Sequence, residues 1–205
     1  MAHPPERASK KGISSLLHTG SKMELGKSAI CEEHRAHTCE DARARMFQGD
    51  VVSIHITAKA GLPMESLPYV QAVAGRGLEG DRYFEGTGHW SNGPGVSRDI
   101  TLIEIEAIES VGREKSIEIT PGATRRNVVT RGVPLNHLVG REFQVGAVRL
   151  RGTRLCEPCQ YLESLTTKGL MAALIHRGGL RADIISGGTI RVGDRVRESQ
   201  TSGVV

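Results

Sequence analysis

Short apolar segments separated by glycine and proline are the feature that most restricts how this 205-residue chain can fold. In residues 50–58 apolar and polar side chains alternate, which places Val52, Ile54 and Ile56 on one side of a predicted strand. Many short strands with turn signals between them favour a β-rich barrel. The further strands are predicted at 99–103, 117–119, 125–130, twice between 141 and 155 around Gly146, and at 180–186 and 189–197.

Helices are few in the predicted architecture. Residues 104–112 form a short predicted helix, and residues 160–175 carry leucines at helical spacing. Gly187 and Gly188 predict a hairpin turn between the last two strands. We therefore expect a mainly β or α+β fold, with a closed or partly open barrel and a few short satellite helices.

Composition restricts the partners of the chain. A net charge of +4 is mildly basic, which permits an anionic small ligand but is weak evidence for nucleic acid. Aromatic residues make up only 3% of the chain, so base-stacking platforms for single-stranded nucleic acid are not expected. No run approaches the roughly 20 apolar residues that a membrane span needs, and the N-terminus does not have the pattern of a secretory signal. We expect a cytoplasmic protein with reduced thiols and no nucleic-acid or membrane partner.

The chain divides into three parts by composition. Residues 1–48 are polar without apolar periodicity and are predicted to be a flexible extension, residues 49–198 a folded domain, and residues 199–205 a short tail. The extension contains ligand-type residues for zinc, but their spacing matches no common zinc finger, so an incidental cluster is favoured. These residues are Cys31, His34, His37 and Cys39.

A glycine pattern at residues 75–80 matches G-x-G-x-x-G letter for letter. Dinucleotide binding by this pattern needs a preceding strand and a helix that begins at the glycines. No helix begins here, because residues 81–84 are followed by further glycines at Gly86 and Gly88. The pattern is better explained as a turn-rich loop.

Cys156 and Cys159 lie between a predicted strand and a predicted helix. A thiol at the start of a helix is favoured in the thiolate form, which also binds soft metals. The residues alone leave three interpretations open: a disulfide redox pair, half of a zinc site completed by His137 or His176, and a thiolate that holds a cofactor.

Arginines are frequent in the second half of the chain, and Arg125 with Asn127 forms the most suggestive pair. Alternation in the predicted strand places these two side chains on one face and Arg126 on the other. Arginine forks bind phosphate or carboxylate in bidentate geometry. For any single arginine a solvated barrel surface is the plainer explanation. The other arginines in question are Arg131, Arg151, Arg154, Arg177 and Arg181.

Five segments taken together resemble the MOSC domain, the family named after the C-terminal part of molybdenum cofactor sulfurases. The segments are specific because they occur together in the family's order. They are GLEGDRYF at 77–84, RDITLIEIEAIESV at 98–111, TRRNVVTRGVPLNHLVGREFQVG at 124–146, LCEPCQYLE at 155–163 and HRGGLRADIISGGTIRVGD at 176–194.

The resemblance implies a barrel with a cleft for molybdopterin. It assigns Cys159 as the molybdenum ligand and Arg125 and Asn127 as cofactor contacts. Cys156 is then an extra thiol, which either assists in cofactor binding or has no role in it. Gly80 and Asp81 match the family's early glycine–aspartate motif, for which a loop-shaping role near the cleft is expected. The desulfurase half of the sulfurases is not matched, so pyridoxal phosphate is not expected.

The expected function is reduction of N-hydroxylated compounds, such as hydroxylaminopurines or amidoximes, by the molybdenum cofactor. No pattern for a second redox group is visible, so electrons would come from a partner protein. A non-catalytic carrier is the alternative, with sulfur held as a persulfide on Cys159 and supplied by a donor protein, or with the cofactor handed to an acceptor. A thiol-redox or structural domain is the third possibility.

Overall fold

The computed structural model describes residues 47–91 and 98–199. The helices of this part are α1 Ile105–Lys115, α2 Gln160–Ser164 and α3 Leu170–Ala173, with 3-10 turns at Pro121–Thr124 and Leu135–Leu138. Its strands are β1 Gln48–Ile56, β2 Glu65–Leu67, β3 Tyr69–Val73, β4 Gly77–Leu78, β5 Ile100–Glu104, β6 Val128–Arg131, β7 Glu142–Val145, β8 Val148–Leu155, β9 Leu180–Ser186, β10 Gly188–Arg191 and β11 Arg195–Glu198.

Seven of these strands close into a barrel in the order β1, β11, β7, β8, β9, β5 and β6, which pairs with β1 again. Neighbouring strands are antiparallel except β5 and β6, which are parallel. A parallel pair needs a crossover connection, and α1 lies within it. β2 pairs with β1, and β10, β3 and β4 form a separate small sheet. The predicted β-rich barrel with short satellite helices is confirmed.

Two apolar clusters cover the two faces of the barrel wall. Leu102, Val128 and Leu180 belong to the cluster inside the barrel. Their chain neighbours Ile103 and Val129 belong to the cluster outside it, because successive strand residues point to opposite faces. The helices cover that outer cluster with Ile105, Ile108, Val111, Leu162, Leu170 and Leu174.

A β-bulge in β1 changes one predicted face. The register between β1 and β6 shifts between Val51 and Ser53. As a result Val51 and Ile54 pack inside the barrel, whereas Val52 packs against the outer cluster. The prediction that Val52 and Ile54 share one side is wrong, because the extra residue of a bulge interrupts the alternation of the strand.

Three local predictions differ from the structure. Residues 117–119 are not a strand, and the strand predicted to begin at residue 125 begins at Val128. The predicted helix at 160–175 is broken into α2 and α3. The break ends at Gly169, whose φ of +89° lies in the left-handed region that glycine favours.

The predicted hairpin at Gly187 and Gly188 is also wrong. β9 pairs with β5 and β8 in the barrel, whereas β10 pairs with β3 in the small sheet. The two glycines therefore carry the chain from one sheet to the other. Gly187 lies close to the small sheet, since a Cβ there would stand 2.6 Å from the carbonyl oxygen of Ala72.

Most of the predicted extension at 1–48 lies outside the described residues, which begin at residue 47, and so does the cluster from Cys31 to Cys39. The predicted tail at 199–205 also lies outside them, except for residue 199. Among the residues that the structure describes, no helix has the length and apolar character to cross a membrane.

Candidate functional site

A row of polar residues crosses the outer face of the barrel wall. Asn127 lies just before β6 and donates its backbone N–H to the carbonyl oxygen of Thr101 at 2.9 Å. Thr101 in β5 stands opposite Arg181 in β9, and Arg181 stands opposite Arg154 in β8. Since the adjacent residues Leu102, Val128 and Leu180 point inward, this row points outward.

The two cysteines lie beside this row on the segment that leaves β8. Cys156 is 3% exposed, and its backbone N–H donates to the carbonyl oxygen of Gly179 at 2.7 Å. Cys159 precedes α2, is partly buried, and packs at the edge of the outer cluster. Both thiols are free. The segment therefore holds one buried thiol and one accessible thiol a few residues apart.

The row and the cysteine segment enclose a hollow that we call the cysteine cleft. It has about 480 Å³ of empty space, counting the part open to solvent. Its polar lining includes Arg125, Arg126, Arg181, Cys156 and Cys159, and its aromatic lining is Tyr83, Trp90 and Tyr161.

Arg126 is a buried clamp beneath the cysteine cleft. Its Nε donates to the carbonyl oxygen of Gly178 at 2.7 Å, its Nη2 to that of Cys156 at 2.7 Å, and its Nη1 to that of Thr124 at 3.0 Å. Three of the five N–H donors of this guanidinium thus meet carbonyl oxygens, and the side chain forms no ion pair within the described residues. The expectation that Arg126 points away from Arg125 is wrong, because β6 begins two residues later.

Arg125 lies at the other end of the cysteine cleft in a strained backbone conformation. Its φ of +59° is in the left-handed region, which is uncommon for a residue with a side chain. Nη1 donates to the carbonyl oxygen of Leu62 at 2.8 Å, whereas Nη2 is buried without a hydrogen-bond partner. Burial, and then the positive charge of Arg82, lower the pKa of Arg125. The guanidinium therefore has a vacant donor and little compensating charge.

The side chain of Asn127 is buried in the barrel wall and held there by hydrogen bonds. Its Nδ2 donates to Asp81 Oδ2 at 3.0 Å and to the carbonyl oxygen of His55 at 3.2 Å. Its Oδ1 accepts from the hydroxyl of Thr101 at 2.8 Å and from the Thr101 backbone N–H at 3.2 Å. Both donors and both acceptor positions of the amide are thus used. Asn127 is 2% exposed, and it is not among the residues that line the cleft.

Asp81 joins this network to the loop before it. Its Oδ2 also accepts from Arg82 Nη1 at 3.1 Å, and its Oδ1 accepts from the backbone N–H of Tyr83 at 3.0 Å. Arg82 in turn donates to the carbonyl oxygen of Arg125 at 3.2 Å. Gly80, with φ of +78°, makes the turn that brings Asp81 to the wall. The early glycine–aspartate motif therefore supports the backbone of Arg125.

Arg181 is a member of the row that the sequence did not single out as a site residue. It lines the cysteine cleft, and its Nη1 is buried without a hydrogen-bond partner. Arg181 also forms no ion pair within the part of the chain that the structure describes. Alternation in β9 could have predicted its outward direction, but nothing local to the sequence indicates that this part of the wall is covered by the cysteine segment.

Aromatic side chains form one rim of the cysteine cleft. The ring of His89 stacks on that of Tyr161 with centroids 3.8 Å apart and an interplanar angle of 8°. Trp90 meets His89 edge to face at 4.6 Å and is 44% exposed. Nothing local to the sequence indicates this rim, because residues 89 and 161 are far apart in the chain.

A second hollow, the side groove, adjoins the cleft at Arg125, which lines both. It has about 660 Å³ of empty space, again counting open solvent. Its other lining residues are Gly61, Pro63, Met64, Thr120, Gly122, Ala123 and Leu165. Arg125 thus lies where the two hollows meet.

The described residues contain no group of three or more His, Cys, Asp or Glu side chains placed to hold a metal ion. His176, one candidate for a zinc half-site, instead has its Nδ1 3.3 Å from Glu157 Oε1. His137 lies on the 3-10 turn Leu135–Leu138. The structure therefore does not bring either histidine and the cysteines together as a zinc site.

Comparisons with known proteins agree with this architecture. Among solved structures, the YuaD protein from Bacillus subtilis superposes with a TM-score of 0.60 at 18% identity, over 76% of this chain and 99% of that one. YiiM from Escherichia coli gives 0.53 at 17% identity, over 76% and 70%. YiiM from Geobacillus stearothermophilus gives 0.55 at 15% identity, over 77% and 78%. At these identities the likeness shows the fold.

No curated protein matches the chain at a significant level. A family model described as the MOSC domain matches residues 89–197, which is just over half of the chain. That stretch contains the cysteine segment, the row of polar residues and the strands β5 to β10. The chain therefore belongs to the MOSC domain family.

Proposed function

We propose that the cysteine cleft binds the molybdenum cofactor, with Cys159 as the protein ligand of the metal, and that the protein reduces N-hydroxylated small molecules. The electrons would come from a partner protein. This activity is the one that the family resemblance of the sequence implied, and the geometry of the cleft supports the binding of an anionic ligand beside an accessible thiol.

One observation carries the proposal: four guanidinium groups line the cleft, and three of them form no ion pair within the described residues. These three belong to Arg125, Arg126 and Arg181, whereas Arg82 is paired with Asp81. Cations brought together in a partly buried hollow repel each other and attract anions strongly, because solvent screening is reduced there. A ligand that carries phosphate would relieve this repulsion and form charge-assisted hydrogen bonds.

The residues present fit the cofactor on two counts. The vacant, buried Nη2 of Arg125 is a donor suited to a phosphate oxygen. The thiol of Cys159 is accessible from the same hollow, and thiolate is a suitable ligand for a soft metal centre. Because Arg125 also lines the side groove, an elongated ligand has room on both sides of this arginine.

Each residue of the site then has a distinct task. Cys159 would hold the metal, and Arg125 would bind the phosphate. Asp81 and Asn127 keep the wall in place through the hydrogen bonds that fix Arg82 under the Arg125 backbone. Direct contact between Asn127 and the cofactor stays a prediction, and it would need one of the four hydrogen bonds of the amide to open. The bound cofactor would supply the two-electron redox chemistry.

The carrier function is the second candidate, because the same cleft would also stabilise an anionic sulfur species on Cys159. A persulfide is deprotonated more readily than a thiol, and the unpaired arginines would favour that charge. The cleft alone does not distinguish the two functions, whereas bound metal and sulfane sulfur do.

The test is elemental analysis of the protein from a cofactor-competent host, as wild type, Cys159→Ser and Cys156→Ser. We expect near-stoichiometric molybdenum in the wild type and a loss of about tenfold or more in Cys159→Ser. Cys156→Ser makes the same chemical change at the buried thiol and should retain most of the metal. Loaded protein would then be assayed with benzamidoxime and a chemical reductant.

The outcomes separate the candidates. Molybdenum lost in Cys156→Ser and kept in Cys159→Ser would move the ligand to the buried thiol. No molybdenum in any variant, together with sulfane sulfur that depends on Cys159, would replace the enzyme by the carrier. A Cys156–Cys159 disulfide couple without metal or sulfane sulfur would favour a thiol-redox domain.

A further inference from the structure

Arg181 stands at a different end of the cysteine cleft from Arg125. It follows Leu180, which pairs with Leu155, the residue before Cys156. The N–H of Cys156 is also bonded to Gly179, two residues before Arg181. Arg181 is therefore anchored beside the cysteine segment, whereas Arg125 is anchored on the carbonyl oxygen of Leu62.

The two arginines are separated by the width of the sheet between them. Asn127 before β6, Thr101 in β5 and Arg181 in β9 lie side by side, so two strand spacings, about 10 Å, separate the backbones at either end. Arg125 lies two residues before Asn127, at the edge of this row. The cleft thus offers two guanidinium groups that approach a ligand from different sides.

The acidic groups near Arg181 form no ion pair with it. Asp183 lies two residues away on the same face of β9, yet its Oδ1 is buried without a hydrogen-bond partner, and no ion pair joins it to Arg181. Glu157 accepts from the backbone N–H of His176 instead. The residue opposite Arg181 on β8 is Arg154, a further cation. Arg181 therefore lies at this end of the cleft without an ion-pair partner among the described residues.

The rim beside these cations is aromatic. Tyr83, Trp90 and Tyr161 all line the cleft, although aromatic residues are 3% of the chain. Aromatic side chains at a pocket rim pack well against flat, unsaturated rings. The combination selects a ligand with a planar ring and an anionic substituent.

We propose that Arg181 binds the anionic group of the substrate, and that the substrate class is N-hydroxylated aromatic compounds that carry a carboxylate or a phosphate. The assignment to substrate rests on the proposed function, in which the phosphate of the cofactor is bound at Arg125. The affinity of this end of the cleft for an aromatic anion does not depend on it.

The binding test uses Trp90, the single tryptophan of the chain, as a fluorescent reporter at the rim of the cleft. Phenyl phosphate is titrated into the purified protein, with benzyl alcohol as the neutral ring. Arg181→Gln should weaken phenyl phosphate binding about tenfold or more and leave benzyl alcohol binding within twofold. Arg191→Gln is the matched control, because Arg191 is an exposed strand arginine outside the cleft, and it should bind phenyl phosphate like the wild type.

A second experiment tests whether the anionic group bound by Arg181 belongs to the substrate or to the cofactor. Arg181→Gln should keep the molybdenum content of the wild type, whereas Arg125→Gln should lose it. In loaded protein, Arg181→Gln should raise KM for 4-carboxybenzamidoxime about tenfold and change KM for benzamidoxime by less than twofold, with kcat little changed.

Each result decides one point. Equal phenyl phosphate affinity in wild type and Arg181→Gln would overturn the proposal, and so would loss of molybdenum in Arg181→Gln, because Arg181 would then belong to the cofactor. A wild type without molybdenum whose phenyl phosphate binding still depends on Arg181 would reject the proposed function and support the aromatic-anion site.

Discussion

Arg126 illustrates how a single residue can matter through backbone carbonyls alone. Its guanidinium joins the segment before β6, the cysteine segment and the loop before β9 by three short hydrogen bonds. These three segments are far apart along the chain. Such a clamp holds Cys156, and with it the approach to Cys159, in a fixed position relative to the wall. The cysteines and Arg125 were predicted from the sequence, but Arg126 was predicted on the wrong side, because the strand alternation was extended back to residue 125 and β6 begins only at Val128.

Replacing Arg126 by Met should lower the free energy of unfolding by about 3 kcal/mol, since three buried carbonyl groups lose their donor. Urea denaturation followed by circular dichroism measures this. Arg191→Met is the control at an exposed position and should change stability by less than about 0.5 kcal/mol. Equal stability of the two variants would mean that water replaces the clamp.

At the scale of elements, the path of β8 depends on a close approach between two backbones. A Cβ at Gly152 would stand 2.1 Å from the carbonyl oxygen of Leu138, so the turn after residue 138 packs directly on this strand. Residues 139 and 152 form an isolated parallel bridge at the same place. The direct contact aligns β8, whose last residue precedes the cysteine segment.

Gly152→Ala should therefore lower the free energy of unfolding by about 3 kcal/mol or more, because the added Cβ clashes with backbone and not with a flexible side chain. Gly112→Ala is the matched change in α1, where the nearest atom to the added Cβ is 4.0 Å away, and it should stabilise by about 0.5–1 kcal/mol through helix propensity. Thermal denaturation measures whether the melting temperature falls for Gly152→Ala and rises for Gly112→Ala. A change of the melting temperature in the same direction for both variants would contradict the proposed backbone clash at Gly152.

The elements themselves were predicted unevenly, for a physical reason. Strands β5, β8 and β9 and helix α1 have regular apolar patterns, and the structure has each of them within a few residues of the predicted position. The strand at 117–119 and the hairpin at Gly187–Gly188 were wrong, because a short apolar run does not determine its pairing partner. Pairing of β9 with β5 joins residues about 80 positions apart, which no local pattern encodes.

At the scale of the whole molecule, the barrel depends on its closing pair, β1 with β11. The pair joins Gln48–Asp50 to Arg195–Arg197, and Asp50 and Arg195 also form an ion pair at 2.8 Å. Val196, which is fully buried, completes the interior between β1 and β7. Without β11 the barrel would have two unpaired edges and an open core.

Truncation after Asp194, which removes β11, should abolish the cooperative thermal transition and expose apolar surface that binds a hydrophobic dye. The control is truncation after Ser199, which keeps every strand of the barrel. A cooperative melt of the shorter chain near the temperature of the control would show that closure is dispensable. The expected effect follows from the loss of a buried valine and a full row of backbone hydrogen bonds.

The sequence by itself determined the β-rich class, the family, and the presence of the Cys156–Cys159 segment between a strand and a helix. These three features depend on local patterns, that is, on residues that lie close to each other in the chain. Only the tertiary structure decided that Arg126 clamps the cysteine segment, that Asn127 uses all its hydrogen-bonding positions within the wall, and that Arg181 forms no ion pair with the described residues at the cleft. Each of these depends on which strands pair and in which register, and that is decided by closing loops between residues far apart in the chain.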